Sequence, residues 1–469
     1  MGSSGNSSPG ELPGRVAAGI APAIFPGAHL ALGLSGGIDS VVLLSVLLEL
    51  APALQFSLRA VHVNHGISPN AGRWAEFCAE LCAQSKTPLQ LESVDISAYR
   101  DLGLEGAARR ARYEAFARVD ADFMVLAQHR NDQAETLLLR LLRGAGPRGL
   151  AAMSPSRSFA GARARLLRPL LGISRGDIEA YARLRGLEWV EDESNADTLR
   201  RRNFLRHEVF PLIEQQFPAA SVTIARAAAH LAEARELLDA MAQTDLESCG
   251  GIALDVAVLR RLGEARAKNL LRYWCEARGI QPLSAVRITE LLRQLRECGF
   301  DSRVSLAGRG WVLLRYREKL YLEPAAEAVE RDFSETWDGG NALPLLALGG
   351  VLKFKPEEGR GLSLAKLRAN PVTVRVRRGG ERLQPDHRRP RRTLKNLFQE
   401  RGIPPWHRDR LPLLFCGEHL VSVPGIGDAC EFRAAPGEAG LIVTWERFGS
   451  DSVLRHHQPF EERDTSAKG

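Results

Sequence analysis

The chain has 469 residues, of which 45% are hydrophobic and 25% are charged, and its formal net charge is +7. These values are ordinary for a soluble globular protein of two to four domains. No apolar run reaches the roughly 18 residues needed to span a bilayer. The first residues, MGSSGNSSPGELPG, lack the basic start and apolar stretch of a signal peptide. We therefore expect a cytoplasmic protein without a membrane segment.

Strands and helices alternate along the first part of the chain. Four apolar runs are typical of buried strands, a weaker fifth lies near Leu166 and Leu167, and a helical pattern follows each of the first four. This alternation predicts βαβ units and a parallel sheet. The expected fold is α/β over residues 15–217, a parallel five-stranded sheet in the order 3-2-1-4-5 with helices on both faces. The predicted strands are residues 29–34, 58–64, 89–94 and 123–127, and the predicted helices are residues 41–50, 73–83, 106–118 and 133–143.

The remaining chain divides by composition. A shift near Pro218 predicts a mainly helical domain over residues 218–325, and a small α+β domain is expected over residues 345–447. Polar or charged ends predict a disordered lead at 1–14 and a disordered tail at 448–469. No internal repeat is present.

The positive charge is concentrated in one segment. Residues 375–410 contain twelve Lys or Arg and four Asp or Glu, a net of 12 − 4 = +8, so the rest of the chain nets 7 − 8 = −1. Such a concentration favours a polyanion-binding surface over a merely solvated face. The candidate nucleic-acid contacts in it are Arg388, Arg389, Arg391, Arg392 and Lys395.

A glycine-rich turn, GLSGGIDS, follows the first predicted strand and opens the first helix. It has no lysine after its glycines, so it is not a Walker A loop, and it is not a GxGxxG dinucleotide turn. Its backbone N–H groups and the helix N-terminus behind it nevertheless suit an anion. Asp39 either caps that helix or holds a cation, such as Mg²⁺ bridging phosphates. The candidate phosphate-binding residues are Ser35, Gly36, Gly37, Ile38, Asp39 and Ser40.

This turn resembles the pyrophosphate-binding PP-loop, S-G-G-x-D-S, of the N-type ATP pyrophosphatases. The resemblance implies cleavage of ATP between its α and β phosphates. Three further stretches discriminate within that class: EGAARRARYEAF, AQHRNDQAET, and DESN followed by RNFLR. Together they resemble the tRNA(Ile)-lysidine synthetase family over almost the whole ordered chain. The family's usual A-H-H-x-D-D-Q-A-E-T differs here at two positions, which carry Gln128 and Asn131.

The resemblance implies a two-step reaction and assigns candidate roles. ATP adenylates the C2 carbonyl oxygen of the wobble cytidine of a tRNA(Ile) with a CAU anticodon, and pyrophosphate leaves. The ε-amino group of free lysine then attacks C2 and AMP leaves, which gives lysidine. Asp39 would hold Mg²⁺, and the cations Arg109 and Arg112 would neutralise the leaving pyrophosphate. Asp132 and Glu135 would bind lysine, with His129 as the candidate base. Arg202 and Arg206, in the RNFLR stretch, would contact tRNA. The expected partners are thus tRNA, lysine and ATP, and a homodimer is left open beside a monomer.

Several alternatives remain open from the sequence. Asp132 and Glu135 also fit a helix capping box, D-x-x-E. His62 and His65, near the end of the second strand, suit loop packing or the adenine side better than a metal site, and Cys78 and Cys82 suit buried thiols. A tRNA thiolase of the same loop class would use paired cysteines or a cluster, and the chain has no Cys-x-x-Cys. An amidotransferase-type ligase would not explain the basic segment, and a mere RNA-binding module would not need an intact loop.

Overall fold

The structure is a computed structural model that describes residues 9–158, 161–280, 283–297, 304–325 and 329–448. The chain forms two compact units, Met1–Thr244 and Asp245–Gly469. Most of the predicted tail at 448–469, and residues 1–8 of the predicted lead, lie outside the described residues. The described part of the lead is structured, because Leu12 begins a helix and is buried.

A six-stranded sheet in the order β3-β2-β1-β4-β6-β5 organises the first unit. Its strands are β1 His29–Gly33, β2 Ser57–Asn64, β3 Leu89–Ser93, β4 Phe123–Val125, β5 Ser156–Ser158 and β6 Arg165–Leu167. The first four and β6 pair in parallel and in the predicted order. The predicted total of five strands was wrong, because β5 adds an antiparallel edge strand to β6. Three residues without apolar alternation left no strand signal there.

The helices of this unit precede, connect and follow the strands along the chain. They are α1 Leu12–Ile20, α2 Ile38–Leu54, α3 Ala71–Gln84, α4 Gly103–Ala117, α5 Arg130–Leu141, α6 Pro147–Leu150, α7 Arg175–Leu184, α8 Arg201–Phe204, α9 Phe210–Gln216 and α10 Ala220–Cys249. A π-helical turn, Leu205–Val209, joins α8 to α9. Helix α2 packs Val42, Leu43 and Leu47 into the core beside β1, which explains why its sequence is apolar on nearly every side. The helix α10 extends past the end of the first unit.

Strands β1 and β4 lie side by side, with Leu30 paired both to Leu58 of β2 and to Phe123 of β4. The strand order reverses at this pair, and ligands bind outside the carboxyl ends of strands at such a point. The PP-loop stretch follows β1 and the His129 stretch follows β4, so the fold places both at one crevice.

The second unit contains four small antiparallel sheets and its own helices. Its strand orders are β7-β10-β9-β8, β11-β15-β18-β19-β20, β12-β13-β21-β14 and β16-β17. The strands are β7 Leu254–Asp255, β8 Ser305–Gly308, β9 Trp311–Tyr316, β10 Lys319–Pro324, β11 Ser334–Thr336, β12 Ala342–Leu345, β13 Gly350–Glu358, β14 Leu362–Ser363, β15 Val372–Arg375, β16 Arg382–Leu383, β17 Arg392–Thr393, β18 Leu413–Cys416, β19 His419–Val423, β20 Gly427–Asp428 and β21 Ala439–Arg447. The helices are α11 Val256–Arg261, α12 Glu264–Glu276, α13 Ala285–Glu297, α14 Leu364–Leu367, α15 Leu394–Glu400 and α16 Pro405–Arg408.

Two separate hydrophobic cores support the second unit. One is built around Trp274 and Leu313, and the other around Phe398 and Val421. Residues 345–447 contain both the strands and the helices around the second core, as predicted for a small α+β domain. The region predicted as mainly helical, residues 218–325, also contains the four-stranded sheet with β9. Within the part of the chain that the structure describes, no helix combines the length and the hydropathy needed to cross a bilayer.

Candidate active site

The PP-loop forms a short anion cradle between β1 and α2. Helix α2 begins at Ile38, and Gly37 precedes it in an extended conformation. The first amides of a helix have no acceptor within the helix, so they are available to an anion. The Ser40 hydroxyl donates to the carbonyl of Gly37 (2.8 Å) and accepts from the amide of Ser35 (3.2 Å). These bonds close the turn and fix the amides that would face a phosphate.

Buried side chains next to the PP-loop hydrogen-bond to it or pack against it. His62 Nδ1 donates to the carbonyl of Leu34 (2.9 Å), and Cys78 Sγ lies 3.4 Å from the same nitrogen. Gly36 has a φ of +85°, and a Cβ there would lie 2.8 Å from Cγ2 of Val190. The amide of Val190 donates to the carbonyl of Gly36 (3.0 Å). A glycine is therefore required at position 36 by its conformation and by the space available. His62 packs against the loop, which is one of the two roles that the sequence favoured over a metal site.

Asp39 does not cap α2; its carboxylate is bound by a cation instead. Both of its oxygens accept from Nη1 of Arg175, at 2.9 and 2.7 Å. His129 Nε2 lies 3.8 Å from Asp39 Oδ1 and 3.5 Å from Asp132 Oδ2, so the imidazole stands between two carboxylates. The PP-loop and the start of α5 therefore meet at one charged centre.

The pKa values of Asp39 and Asp132 are shifted in opposite directions at this centre. Burial raises the pKa of Asp39, and the charge of Asp132 adds to the rise, while His129 and Arg175 oppose it. Burial would also raise the pKa of Asp132, but His129 and Arg202 hold that pKa below its ordinary value. Asp39 is thus the carboxylate with the less compensated charge, and a further cation beside it would be stabilised.

Asp132 and Glu135 on α5 are enclosed by Arg202 and Arg206. Glu135 is 2% exposed, and it accepts from Arg202 Nε at 2.7 Å and from Arg206 at 2.7 and 3.0 Å. Asp132 Oδ1 accepts from the same two guanidinium groups at 2.8 and 3.2 Å. We name these four residues the charge cluster. The predicted lysine-binding carboxylates and the predicted tRNA-binding arginines therefore lie together.

The capping-box alternative was wrong in its register. Helix α5 begins at Arg130 with His129 before it, so Asp132 lies in the first turn and does not precede the helix. Its Oδ2 accepts from the amide of His129 at 2.9 Å, which does help to cap the helix. Glu135 takes no part in the cap, because both of its oxygens contact arginines.

The two departures from the usual family motif have partners of their own. Gln128 Oε1 accepts from Arg168 Nε at 3.0 Å. Asn131 Oδ1 accepts from the backbone amide of Arg175 at 3.1 Å, at the start of α7. At each position the side-chain amide oxygen accepts a hydrogen bond, so Gln128 and Asn131 both provide an acceptor.

The predicted cations of α4 lie beside other side chains. The guanidinium of Arg109 lies over the ring of Tyr113, 5.3 Å from its centroid. Arg112 Nε donates to His65 Nε2 at 3.3 Å. Burial, together with the positive charge of Arg112, lowers the pKa of His65 to about 4, so this imidazole is neutral at physiological pH.

A strap between α7 and α8 was missed by the sequence reasoning, although its DESN motif was noticed. Asn203 Nδ2 donates to the carbonyls of Ser194 (2.8 Å) and Asp197 (3.0 Å), and His207 Nε2 donates to the carbonyl of Asn195 (2.8 Å). We name residues 190–197 the strap. Asn203 and His207 thus hydrogen-bond to the strap, while the adjacent Arg202 and Arg206 hydrogen-bond to the carboxylates of α5. Through Val190 the strap also reaches the PP-loop.

The basic segment in the second unit is only partly free for a partner. Arg408 is buried and donates to the carbonyl of Ile403 (2.8 Å) and to Tyr316 Oη (3.0 Å). Arg392 pairs with Glu400 at 2.6 Å. We name residues 384–391, which connect β16 to β17, the basic loop. Its exposed cations are Arg388, Arg389 and Arg391, and Lys395 is exposed on α15.

No metal site is complete in the protein itself. Within the described ranges, no group of three or more His, Cys, Asp or Glu side chains is arranged to hold a metal ion. Asp39 and Asp132 each lie within 3.8 Å of His129 Nε2, and magnesium usually takes one or two carboxylates plus phosphate oxygens of a substrate. This donor set therefore fits an ion that arrives with a nucleotide.

Comparisons with known proteins match three segments of the chain to family models. Residues 15–213 match the model of a PP-loop domain, residues 254–321 that of a TilS substrate binding domain, and residues 372–445 that of a TilS substrate C-terminal domain. A tRNA(Ile)-lysidine synthase of Nitrosomonas europaea is 44% identical over 433 residues, which cover 92% of this chain and 94% of that protein. The chain belongs to the tRNA(Ile)-lysidine synthase family.

Other members of the tRNA(Ile)-lysidine synthase family give the same picture. The synthase of an Azoarcus species is 43% identical over 90% of this chain and 93% of its own length. That of Aromatoleum aromaticum is 42% identical over 91% of this chain and 99% of its own length. The resemblance drawn from the sequence motifs is confirmed, and so is the PP-loop fold class apart from the additional strand.

Proposed function

We propose that the chain ligates lysine to C2 of the wobble cytidine of a CAU-anticodon tRNA(Ile), with cleavage of ATP to AMP and pyrophosphate. The product is lysidine, which changes codon specificity from AUG to AUA. The observation that carries the proposal is the likeness to lysidine synthases over 92% of the chain. The intact PP-loop at the β1–β4 crevice supports it, because that turn suits a leaving pyrophosphate.

In the first step the cytidine C2 oxygen attacks the α-phosphorus of ATP, and pyrophosphate leaves. The amides of Gly36, Ile38 and Asp39 suit the negative charge that collects on pyrophosphate, because preorganised donors need no rearrangement. The amides of Ser35 and Gly37 already donate to hydroxyls within the turn. Asp39 would hold Mg²⁺, with Asp132 nearby. Magnesium held there would neutralise negative charge on phosphate oxygens. Arg175 pairs with Asp39 in this structure, so we expect it to move toward the phosphates when the nucleotide binds.

In the second step the lysine ε-amine attacks C2, the C2–O bond breaks, and AMP leaves while the amine loses a proton. The charge cluster suits the other end of lysine, because an amino acid presents an ammonium and a carboxylate together. Asp132 and Glu135 would take the ammonium. Arg202 or Arg206 would take the carboxylate, in place of the tRNA contact that the sequence motifs implied, because both arginines pair with these carboxylates. His129 is our candidate base, because its Nε2 stands 3.8 Å from Asp39 Oδ1 and 3.5 Å from Asp132 Oδ2, at the point where the PP-loop and α5 meet.

The basic loop is our candidate for gripping the tRNA away from the reacting base. Its arginines are exposed on a short hairpin, and arginine forks match phosphate geometry. A double-stranded RNA is recognised mostly by its shape and backbone, so this contact would add affinity and orientation. Lys395 would join it, and Arg392 would join only after leaving Glu400.

The test is cleavage of ATP to AMP and pyrophosphate by the full chain, with tRNA and lysine omitted in turn. The proposal expects pyrophosphate only when the tRNA is present, and AMP release only when lysine is added. A thiolase would need a sulfur donor instead, and a binding module would leave ATP intact. A cytoplasmic location and a homodimer stay predictions, to be checked by cell fractionation and by light scattering.

A further inference from the structure

A second cationic site lies beside the reaction crevice. Arginines from four different elements cluster near Tyr113 of α4. Three of them contact Tyr113, and the fourth lies close enough to two of these for their charges to lower its pKa beyond the effect of burial. They are Arg109 of α4, Arg140 of α5, Arg157 of β5 and Arg168 at the end of β6. We name these four side chains, together with Tyr113, the arginine cage.

Contacts hold the cage in a definite shape. The guanidinium groups of Arg109 and Arg157 lie 5.3 and 5.5 Å from the centroid of the Tyr113 ring. Arg168 is 3% exposed; its Nη2 donates to Tyr113 Oη at 3.3 Å and its Nη1 to the carbonyl of Ser154 at 2.8 Å. Arg140 Nη1 donates to two further carbonyls, at 2.6 and 2.9 Å. The inner arginines are thus fixed by neutral acceptors, while Arg109 and Arg157 are exposed.

The cage has no internal negative charge. Among the described side chains, no carboxylate forms an ion pair with any of its four guanidinium groups, although arginines elsewhere in the unit are paired. Burial lowers the pKa of Arg168, and Arg157 and Arg109 lower it further. Burial would raise the pKa of Tyr113, but Arg109, Arg168 and Arg157 bring it below its ordinary value. Both shifts have the sign expected of an excess positive potential.

A purely structural role explains this arrangement poorly. Buried arginines are normally paired with carboxylates, because an uncompensated buried charge is costly. Clustering four like charges adds repulsion, which an anion between them would remove. Several guanidinium forks converging from separate elements are suited to a phosphate group.

We propose that the arginine cage binds a phosphate, and that this phosphate belongs to the backbone of the RNA substrate next to the reacting nucleotide. This rests on the proposed function. The position favours RNA, because Arg168 also donates to Gln128, the residue before His129, so the cage adjoins the crevice. Its outer arginines are open to solvent, as a continuous polyanion passing the crevice requires. The nucleotide's own phosphates already have the PP-loop amides. The proposal thus gives Arg109 to the RNA, whereas the sequence motifs implied a role at the leaving pyrophosphate.

Arg157→Ala is the most informative variant, because this side chain is exposed on the edge strand and its loss should leave the fold intact. Arg163→Ala is the matched control, an arginine whose side chain is 81% exposed near the same edge. The probes are a transcript of tRNA(Ile) with a CAU anticodon, without ATP, over a series of salt concentrations, and inorganic pyrophosphate. Arg157→Ala should weaken tRNA binding about tenfold, as for one lost charge-assisted hydrogen bond. The salt slope should fall by about 0.7 to 0.9.

The outcomes separate the sources of the phosphate. Weaker tRNA binding with a lower salt slope, and unchanged pyrophosphate binding, supports the RNA backbone. If Arg157→Ala weakens pyrophosphate binding instead, the cage binds a phosphate of the nucleotide and not of the RNA. Arg157→Lys should restore the salt slope and only part of the affinity. If tRNA and pyrophosphate bind to Arg157→Ala as to Arg163→Ala, the cage is no phosphate site. Lysidine formation by the unchanged protein tests the proposed function separately.

Discussion

Replacing Glu135 by Gln removes the charge of a carboxylate that holds two arginines at once. The side chain is 2% exposed and accepts three hydrogen bonds of 2.7, 2.7 and 3.0 Å from Arg202 and Arg206. A hydrogen bond to a charged group contributes about 1.5 to 3 kcal/mol. Gln keeps one acceptor oxygen and Asp132 stays in place, while the side chain of Arg206 is 34% exposed and partly screened by water. We therefore expect a loss of about 2 kcal/mol in the free energy of unfolding.

The assay must separate this loss of stability from an effect on lysine. For a unit of this size the loss corresponds to a fall of about 4 to 8 °C in Tm. If the charge cluster binds the head group of lysine, the lysine KM should rise about 10- to 100-fold, since each 1.4 kcal/mol is tenfold. Pyrophosphate release in the absence of lysine should remain near that of the unchanged protein, because the PP-loop is not altered.

Glu49→Gln serves as the control for Glu135→Gln. Glu49 pairs with Arg185 in the same unit, and both side chains are more than two fifths exposed. An exposed pair contributes about 0 to 1 kcal/mol, so its Tm and lysine KM should change little. A lower Tm for Glu135→Gln with an unchanged lysine KM would refute a role for this cluster in binding lysine and leave Glu135 as a structural ion pair.

Three further substitutions test other parts of the account. Asp39→Asn should abolish pyrophosphate release without lowering Tm. Burial raises the pKa of Asp39, so its ionised form costs stability at neutral pH and the loss of that charge should not destabilise the fold. Rapid pyrophosphate release by this variant would show that Asp39 has no role in the first step. Asn203→Ala frees the strap and should raise the KM values for ATP and lysine together, whereas Asn269→Ala, a buried asparagine of the second unit, should change neither. Replacing the three arginines of the basic loop by Ala should lower the salt slope of tRNA binding by about 0.7 to 0.9 per lost phosphate contact; parallel salt plots with equal intercepts would mean a solvated face.

Local signals predicted the sheet and the PP-loop well. Apolar runs and glycine placement report directly on strands and on the turn after β1. The strand β5 gave no such signal, because Ser156–Ser158 is short and polar and pairs only at the sheet edge. The start of α5 was misplaced because a histidine, rather than the expected aspartate, precedes that helix.

The partners of the charged residues could not be read from the sequence. Arg175 binds Asp39 across 136 residues of chain, and Arg206 binds Glu135 across 71. No periodicity links such pairs, because tertiary folding alone brings them together. The basic segment shows the same limit. Its composition predicted exposed charge, whereas Arg408 is buried against Tyr316, 92 residues away in sequence.

The most direct test of the central claim is the identity of the nucleoside that the protein makes. The full chain is incubated with ATP, lysine and a CAU-anticodon tRNA(Ile) transcript, and the digested RNA is examined by mass spectrometry. The account predicts that the wobble cytidine alone gains the mass of one lysine less one water, only when ATP and lysine are both present. An unmodified wobble cytidine under these conditions, or a cytidine that has gained sulfur when a sulfur donor is supplied, would contradict it.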